Sequence, residues 1–571
     1  MLKQYGLLLC ILLSGFVSAQ RQDEDFPADD YRTTQNQYYW KNRPPYAGYW
    51  QQDVHYIIVA SLNDSTDIIN GNERLIYYNN SPDTLRVVYF HLYSNAQNKH
   101  SYYSDLYKNN HLKLKFGKYE AEDSGCYVKS IRIGNKELKT EVDNTVMKVI
   151  LPQPLLPNSS VTFNVSFTTY FDLGGTRNRM KMFIAYKDKN TLFKQYDVVH
   201  WYPRICVYDM KFGWDVEQHM AHEFYGDFGT YDVAFTLPNN YVVGATGILL
   251  NQDEVLPDTL MRKLDIGNFS NKKWNSPPSV VIAKNNKPKT WQFHATNVHD
   301  FALTADPTYR IGLASWNGVQ CMALAEEMHA ARWQNAASYT ATIIATDSKY
   351  FGMYGYPKMI VADARDGMEY PMLTLDGGGD PDYRTLLAHE VSHNWFFGMV
   401  GSNETYRAAL DEGFTQFAES WICQQIDGPY GVEGQPANKY VRNYYRPDKL
   451  VAQEVYFGYL MNNLVEVGDF TENYQGKLFA ARTAASLGYK NVTLNTSSDD
   501  FASAVGHDGG YGQVYFKTAT MLYNLQYVLG DSVFFKAMQH YFNQWKILSP
   551  LPERFPEFNN SICAYGPYLV F

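Results

Sequence analysis

Two histidines four residues apart, in His389-Glu390-Val391-Ser392-His393, place the tightest constraint on what this chain can fold into. On a helix such a pair projects from one face, one turn apart, so both imidazoles can converge on a single ion. Eighteen residues separate His393 from Glu412, in Leu410-Asp411-Glu412-Gly413-Phe414, so a carboxylate on a second helix can supply a third ligand. Two nitrogens and one oxygen leave the fourth tetrahedral position of a zinc ion open to water, with Glu390 beside it as a base. The chain is therefore expected to hold one Zn2+ on His389, His393 and Glu412, between two packed helices. A chance match on an amphipathic helix is the competing reading, and Glu412 with the apolar helix after it argues against that. The metzincin extension is excluded, because Phe396 and Met399 stand where Gly and His would be needed. His219-Met220-Ala221-His222 lacks a glutamate between its histidines and reads as ordinary histidine chemistry.

At 571 residues the chain exceeds a single core, so two or three domains are expected. Its formal charge of −9, with no block of Lys and Arg, argues against a nucleic-acid surface. Lys3, the apolar run from Leu7 to Val17 and the small residues Val17-Ser18-Ala19 read as a signal peptide cut before Gln20. No later run reaches about 18 apolar residues, so no transmembrane span is expected after cleavage, and the chain is expected to be secreted or periplasmic. Beyond Cys10 the cysteines are Cys126, Cys206, Cys321, Cys423 and Cys563, scattered and without metal-type spacing, so no disulfide framework is implied.

Five segments follow along the chain. Residues 1–19 are the signal peptide, and residues 20–46 are a polar, extended leader rich in Asp, Gln, Tyr and Pro. Residues 47–307 form a large antiparallel β domain, with strands at His55 to Ala60, Val161 to Phe167 and Tyr231 to Leu237. Turn signals punctuate them at Leu237-Pro238-Asn239-Asn240 and Ile133-Gly134-Asn135. Residues 308–548 are the catalytic α/β domain. There Ala323 to Tyr350 has helical spacing, Lys358 to Asp363 reads as a strand, and Asp380-Pro381 opens the helix that carries His389 and runs to about Gly398. Further helices are expected near Leu410 and from Gln513 to Leu529. Residues 549–571 form an atypical tail without helical periodicity.

Upstream of the histidines, Asp366-Gly367-Met368-Glu369-Tyr370-Pro371 resembles a segment of the gluzincin aminopeptidase family, which includes aminopeptidase N and leukotriene hydrolase. That family pairs the same zinc pattern with Gly-x-Met-Glu-Asn. Here Gly367, Met368 and Glu369 match without the spacer, and Tyr370 replaces Asn. The resemblance implies a β-rich N-terminal domain beside a thermolysin-like α/β domain, a multidomain α+β chain. It also implies that this strand edges the cleft, aligns the substrate backbone and lets Glu369 bind the free α-amino group of a peptide. Tyr515 and Lys517 are similar to the family's Tyr-x-Lys-Gly segment, whose tyrosine stabilises the oxyanion, with Thr518 in place of Gly and Tyr511 as the fallback. Gln195-Tyr196-Asp197 resembles a β-domain loop that assists the amine-binding Glu, which puts Asp197 near that position and His200 within reach of the site. Asp411 and Asn394 adjoin the ligands and can orient them.

The expected activity is hydrolysis of the N-terminal peptide bond of peptides with a free N-terminus, by a zinc-activated water and Glu390. A non-peptide hydrolase on the same zinc site and a catalytically silent binding protein are the alternatives. The resemblance covers residues 50 to 545, and the tail suggests an abbreviated or differently terminated chain.

Overall fold

The computed structural model describes residues 26–175, 179–220, 223–427, 493–494, 496–498 and 511–550. The signal peptide, Ala221, His222, and residues 551–571 of the tail lie outside the described residues.

An eight-stranded sheet dominates the first half. Its order is Ile248–Leu249, Lys289–Val298, Gly229–Leu237, Asp53–Asn63, Ile68–Asn79, Ser159–Tyr170, Cys126–Ile133 and Lys136–Glu137. The pairings are antiparallel except one: Asp53–Asn63 runs parallel to Gly229–Leu237. Ile68–Asn79 alternates buried and more open positions, the period-2 signature of a strand with one face on the core. Gly229–Leu237 is buried at all but one position, which is why its apolar run reads as continuous. Two four-stranded sheets and a two-stranded one, Tyr208–Asp209 with Gly213–Trp214, accompany it in this half. The three expected strands lie within these elements, and Gly134 takes a positive φ of 54° in the expected turn.

Residues 26–46 differ from an extended leader. They fold as turns and one short 3-10 turn, Trp40–Asn42, with Tyr31, Tyr39 and Trp40 buried. Rings within a T-shaped stack (Tyr31 on Tyr39, Trp40 on Tyr49, Tyr49 on Trp545) supply apolar area that a polar composition hides. Arg43 donates to the carbonyls of Asn543 and Gln544, tying this segment to the last described helix.

The second half is built on a five-stranded sheet, ordered Tyr309–Trp316, Val319–Glu326, Lys358–Asp363, Leu373–Asp376 and Met368–Tyr370. The middle strands are parallel and the last is an antiparallel edge. Ala323 to Glu326 therefore belongs to a strand, and the helix expected to start at Ala323 begins at Ala336 and ends at Tyr350. Pairing on both sides overrides the helix preference of alanine there. Against the sheet lie the helices Arg384–Ser392 and Glu412–Asp427, followed by Tyr511–Leu529 and Asp531–Trp545. Trp333, Trp395 and Trp545 are fully buried among these elements, each contributing about 1.5–3 kcal/mol of burial. The indole N–H groups of Trp333 and Trp395 donate to the carbonyls of Gly378 and Gly352. Cys126, Cys206, Cys321 and Cys423 are all buried. No helix among the described residues is long and apolar enough to cross a membrane.

Candidate metal centre and cleft

The helix bearing His389 starts at Arg384, later than Asp380-Pro381, because the Asp380 carboxylate accepts from the Arg384 side chain at 2.8 Å instead of from a backbone N–H. It ends at Ser392, with His393 still helical at φ −56° and its amide donating to the His389 carbonyl. The chain then breaks at Phe396 and Phe397, short of the expected run to Gly398. The four-residue spacing is thus kept as one helical turn. Glu412 opens the next helix and faces both imidazoles.

The three expected ligands meet in a near-equilateral triangle. His389 Nε2 and His393 Nε2 are 3.1 Å apart, and each lies 3.2 Å from Glu412 Oε2. Tetrahedral ligands about 2.0–2.1 Å from a zinc ion stand about 3.3 Å from one another, so this donor set fits zinc. The outer nitrogens are held as well: His393 Nδ1 is 2.5 Å from Asp411 Oδ1, and His389 Nδ1 is 3.1 Å from Glu419 Oε2. Carboxylates on Nδ1 leave Nε2 turned toward the ion. Burial disfavours charge on His389, but Glu412 and Glu419 outweigh it and raise the imidazole to about 10, a field that attracts positive charge.

A cleft of about 600 Å³ surrounds this triangle, lined on its substrate side by Arg179, Glu223, Gly367, Glu369, Glu390 and Tyr515. Burial, reinforced by Glu412 and Asp366 against the pull of the two histidines, pushes the Glu390 carboxyl up to about 7. Its Oε2 is buried without a hydrogen-bond partner among the described residues, as is Oε1 of Glu369. Glu369 sits on the edge strand Met368–Tyr370, paired with Thr374, and burial raises its carboxyl well above the usual range. Gly367 allows that strand to approach the histidine helix: a Cβ there would come within 3.1 Å of Glu390 Oε1 and 3.3 Å of Leu386 Cδ1. Tyr515 donates to Glu412 Oε1 and its ring stacks on His389, with centroids 5.9 Å apart.

Other expected residues fall elsewhere. Met368 is fully buried behind the strand and does not line the cleft. Asp197 is buried too; one oxygen accepts from the Thr304 hydroxyl at 3.3 Å and neither reaches the cleft lining. The β-rich half reaches the cleft through Arg179 and Glu223 instead, while the Gln195 amide donates to the Asp363 carbonyl and its oxygen accepts from Arg365, both outside the cleft lining. His200 contacts Tyr370 Oη at 3.3 Å, outside the cleft. Asp411 orients His393, whereas Asn394 accepts from the Met372 amide and ties helix to strand. Arg179, Glu223 and Glu419 escaped the sequence reading. Glu419 carried a usable signal, since it lies seven residues after Glu412, two turns along the same helix face.

Comparison with known proteins agrees with this geometry. No family model matches the chain. Over 157 residues it is 28% identical to aminopeptidase B of Mus musculus, covering 24% of each chain. Over 94 residues it is 32% identical to aminopeptidase B of Homo sapiens, covering 15% of this chain and 14% of that protein. The matches thus span about a quarter or less of these relatives. Among solved structures, a variant M1 zinc metallopeptidase from Deinococcus radiodurans bound to a Tyr-Ser-Ala substrate has a TM-score of 0.53 at 13% identity, covering 91% of this chain and 96% of that one. A two-domain M1 zinc metallopeptidase variant bound to L-arginine has the same TM-score at 14% identity, covering 90% and 94%. The chain has the fold of the M1 zinc metallopeptidases and carries, in His389, His393 and Glu412, the ligand pattern of the gluzincin aminopeptidases that it resembles in sequence.

Proposed function

We propose that the chain is a zinc-dependent aminopeptidase that hydrolyses the first peptide bond of peptides with a free N-terminus. The observation that carries this reading is the shared cleft: the three-ligand triangle, the buried base Glu390 and the buried carboxylate Glu369 open into one space. The similarity to aminopeptidase B supports it. The signal-peptide pattern of residues 1–19 supports export from the cytoplasm.

His389, His393 and Glu412 would hold a zinc ion, which would supply a Lewis acid to polarise a carbonyl and acidify water. Glu390 takes the proton of the attacking water on a carboxylate oxygen and delivers it to the departing amine. A carboxyl held near 7 is suited to both transfers at neutral pH. Tyr515 donates its hydroxyl proton to the carbonyl oxygen as charge develops there. Glu369 pairs with the substrate ammonium and fixes the register, so that only the first peptide bond reaches Glu390. Gly367 keeps the strand close enough for this spacing.

The test is turnover of aminoacyl-anilides by the zinc-loaded protein. Glu369→Gln is expected to lose that activity with its zinc retained. Equal activity on N-acetylated substrates, or activity unchanged in Glu390→Gln, would overturn the reading.

A further inference from the structure

A second cavity, of about 640 Å³, lies against the five-stranded sheet, apart from the metal cleft. Alternate residues of those strands divide between two faces. A Cβ at Gly312 would come within 3.7 Å of Ala337 Cβ, so one face lies under the helix Ala336–Tyr350. The other face lines the cavity in rows of paired residues. Ser315, Gln320 and Lys358 form the first row, Leu313, Met322 and Ile360 the second, and Ile311 and Leu324 the third. Successive rows stand about 6.6 Å apart, so the face runs about 13 Å from polar groups to hydrocarbon.

The β-rich half closes the opposite side with Ala245, Leu249, Leu256 and Phe293. Closure is incomplete. Leu313 is 62% exposed and Ile248 48%, which leaves apolar lining in contact with water.

Among the described residues that line the cavity, Lys358 alone carries charge. Its amine donates to the Ala245 carbonyl at 2.6 Å and has no carboxylate partner among the described residues. The residue is partly exposed, yet the protein around its amine pushes the ammonium down to about 7. An ammonium with one hydrogen bond in apolar surroundings calls for a counter-charge.

The lining selects the ligand. An inorganic anion would answer the charge and leave the second and third rows wet. An apolar peptide side chain would cover those rows and leave the charge bare. A straight hydrocarbon chain ending in a carboxylate does both, and the volume suits one small molecule.

We infer that this cavity is a binding site for a medium-chain fatty acid, its carboxylate on Lys358, Gln320 and Ser315 and its alkyl chain along Leu313, Met322 and Leu324. The ligand touches both halves of the chain and so holds them together. Its head sits at the start of the strand Lys358–Asp363, about 16 Å from the end that leads to Glu369. Occupancy is therefore separate from peptide hydrolysis, and the site stands whether or not the chain is an aminopeptidase.

The experiment titrates the full zinc-loaded chain with decanoate, octanoate and decanol by calorimetry. Decanoate is expected to saturate at one per chain and to raise the melting temperature. Affinity is expected to fall about fourfold for each methylene removed in passing to octanoate. Lys358→Met keeps the apolar stem, and is expected to weaken decanoate roughly 10–100-fold while leaving decanol unchanged. Met322→Trp fills the cavity and is expected to abolish binding of both, with zinc content near wild type. Should Lys358→Met fail to fold, Met322→Trp carries the comparison. Decanoate binding that survives the substitutions sits elsewhere, the zinc site included, and overturns the inference. Equal losses of decanoate and decanol in Lys358→Met overturn it too, since the cavity is then an apolar cleft without an anion site. So does the absence of saturable decanoate binding.

Discussion

The hydroxyl of Tyr515 donates to one oxygen of Glu412 while the other oxygen of Glu412 lies 3.2 Å from Nε2 of both His389 and His393. One carboxylate thus joins two helices 103 residues apart in sequence, and it sets the tyrosine on the open side of the ligand triangle.

Removing that hydroxyl tests its role in turnover. Tyr515→Phe keeps the ring on His389, so zinc content and KM are expected to hold while kcat falls about 100-fold or more. Anilide kinetics beside metal analysis check this. A fall in zinc content matching the lost activity would instead make Tyr515 a prop for Glu412.

Glu390→Gln preserves shape and removes the proton acceptor. Turnover is expected to drop roughly 10²–10⁴-fold with the metal still bound. Single-turnover kinetics at saturating zinc measure the loss in the chemical step itself.

Asp411 acts on the ion through His393. Asp411→Asn is expected to weaken zinc binding about 10–100-fold, read by competition with a chelator. Activity is expected to recover in large part when excess zinc is supplied, which an Asp411 role in the reaction itself would not allow.

Gly413 and Thr518 set how closely the Glu412 and Tyr515 helices approach. A Cβ at Gly413 would come within 2.3 Å of Thr518 Cβ, inside any real contact distance. Gly413→Ala is expected to cost about 1–3 kcal/mol of stability and to lower kcat by displacing Tyr515. Thermal melting reads the first effect, and the double change Gly413→Ala with Thr518→Gly is expected to restore both.

A pH-dependent contribution to stability lies far from the metal. Burial opposes charge on His294, but its hydrogen bonds to the Asp232 and Asp30 carboxylates outweigh it and raise the imidazole from 6.5 to about 9. Because the folded value lies above the unfolded one, this stabilisation is complete below pH 6.5 and is lost as pH rises through about 9. Between those values the wild-type melting temperature is expected to fall on the order of 1–2 °C more than that of His294→Gln. Parallel melting curves across the window would rule the contribution out.

Much of the site was legible because its chemistry is local. His389 and His393 are set by one helical turn, and Glu369 stands in a short contiguous segment. The strands His55 to Ala60 and Tyr231 to Leu237 were legible through their β-branched and aromatic residues. Ala323 to Glu326 misled, because alanine favours helix in isolation and only pairing with strands on both sides makes it a sheet interior. The segment at 26–46 misled for a related reason: its polar residues were visible, but Arg43 meets Asn543 and Gln544 and the stack of rings ends on Trp545, far along the chain. Asp197 misled because its neighbour Thr304, 107 residues further along the chain, is invisible in the local segment.

The sequence by itself pointed to the donor set His389, His393 and Glu412 and to Glu390 beside it, since helical periodicity and ligand chemistry need no distant information. Only the tertiary structure decided which acids share the cleft. Glu223 and Glu419 join Glu369 and Glu390 in the cleft lining by tertiary packing, and burial, which only the folded chain supplies, is what gives such charges consequence.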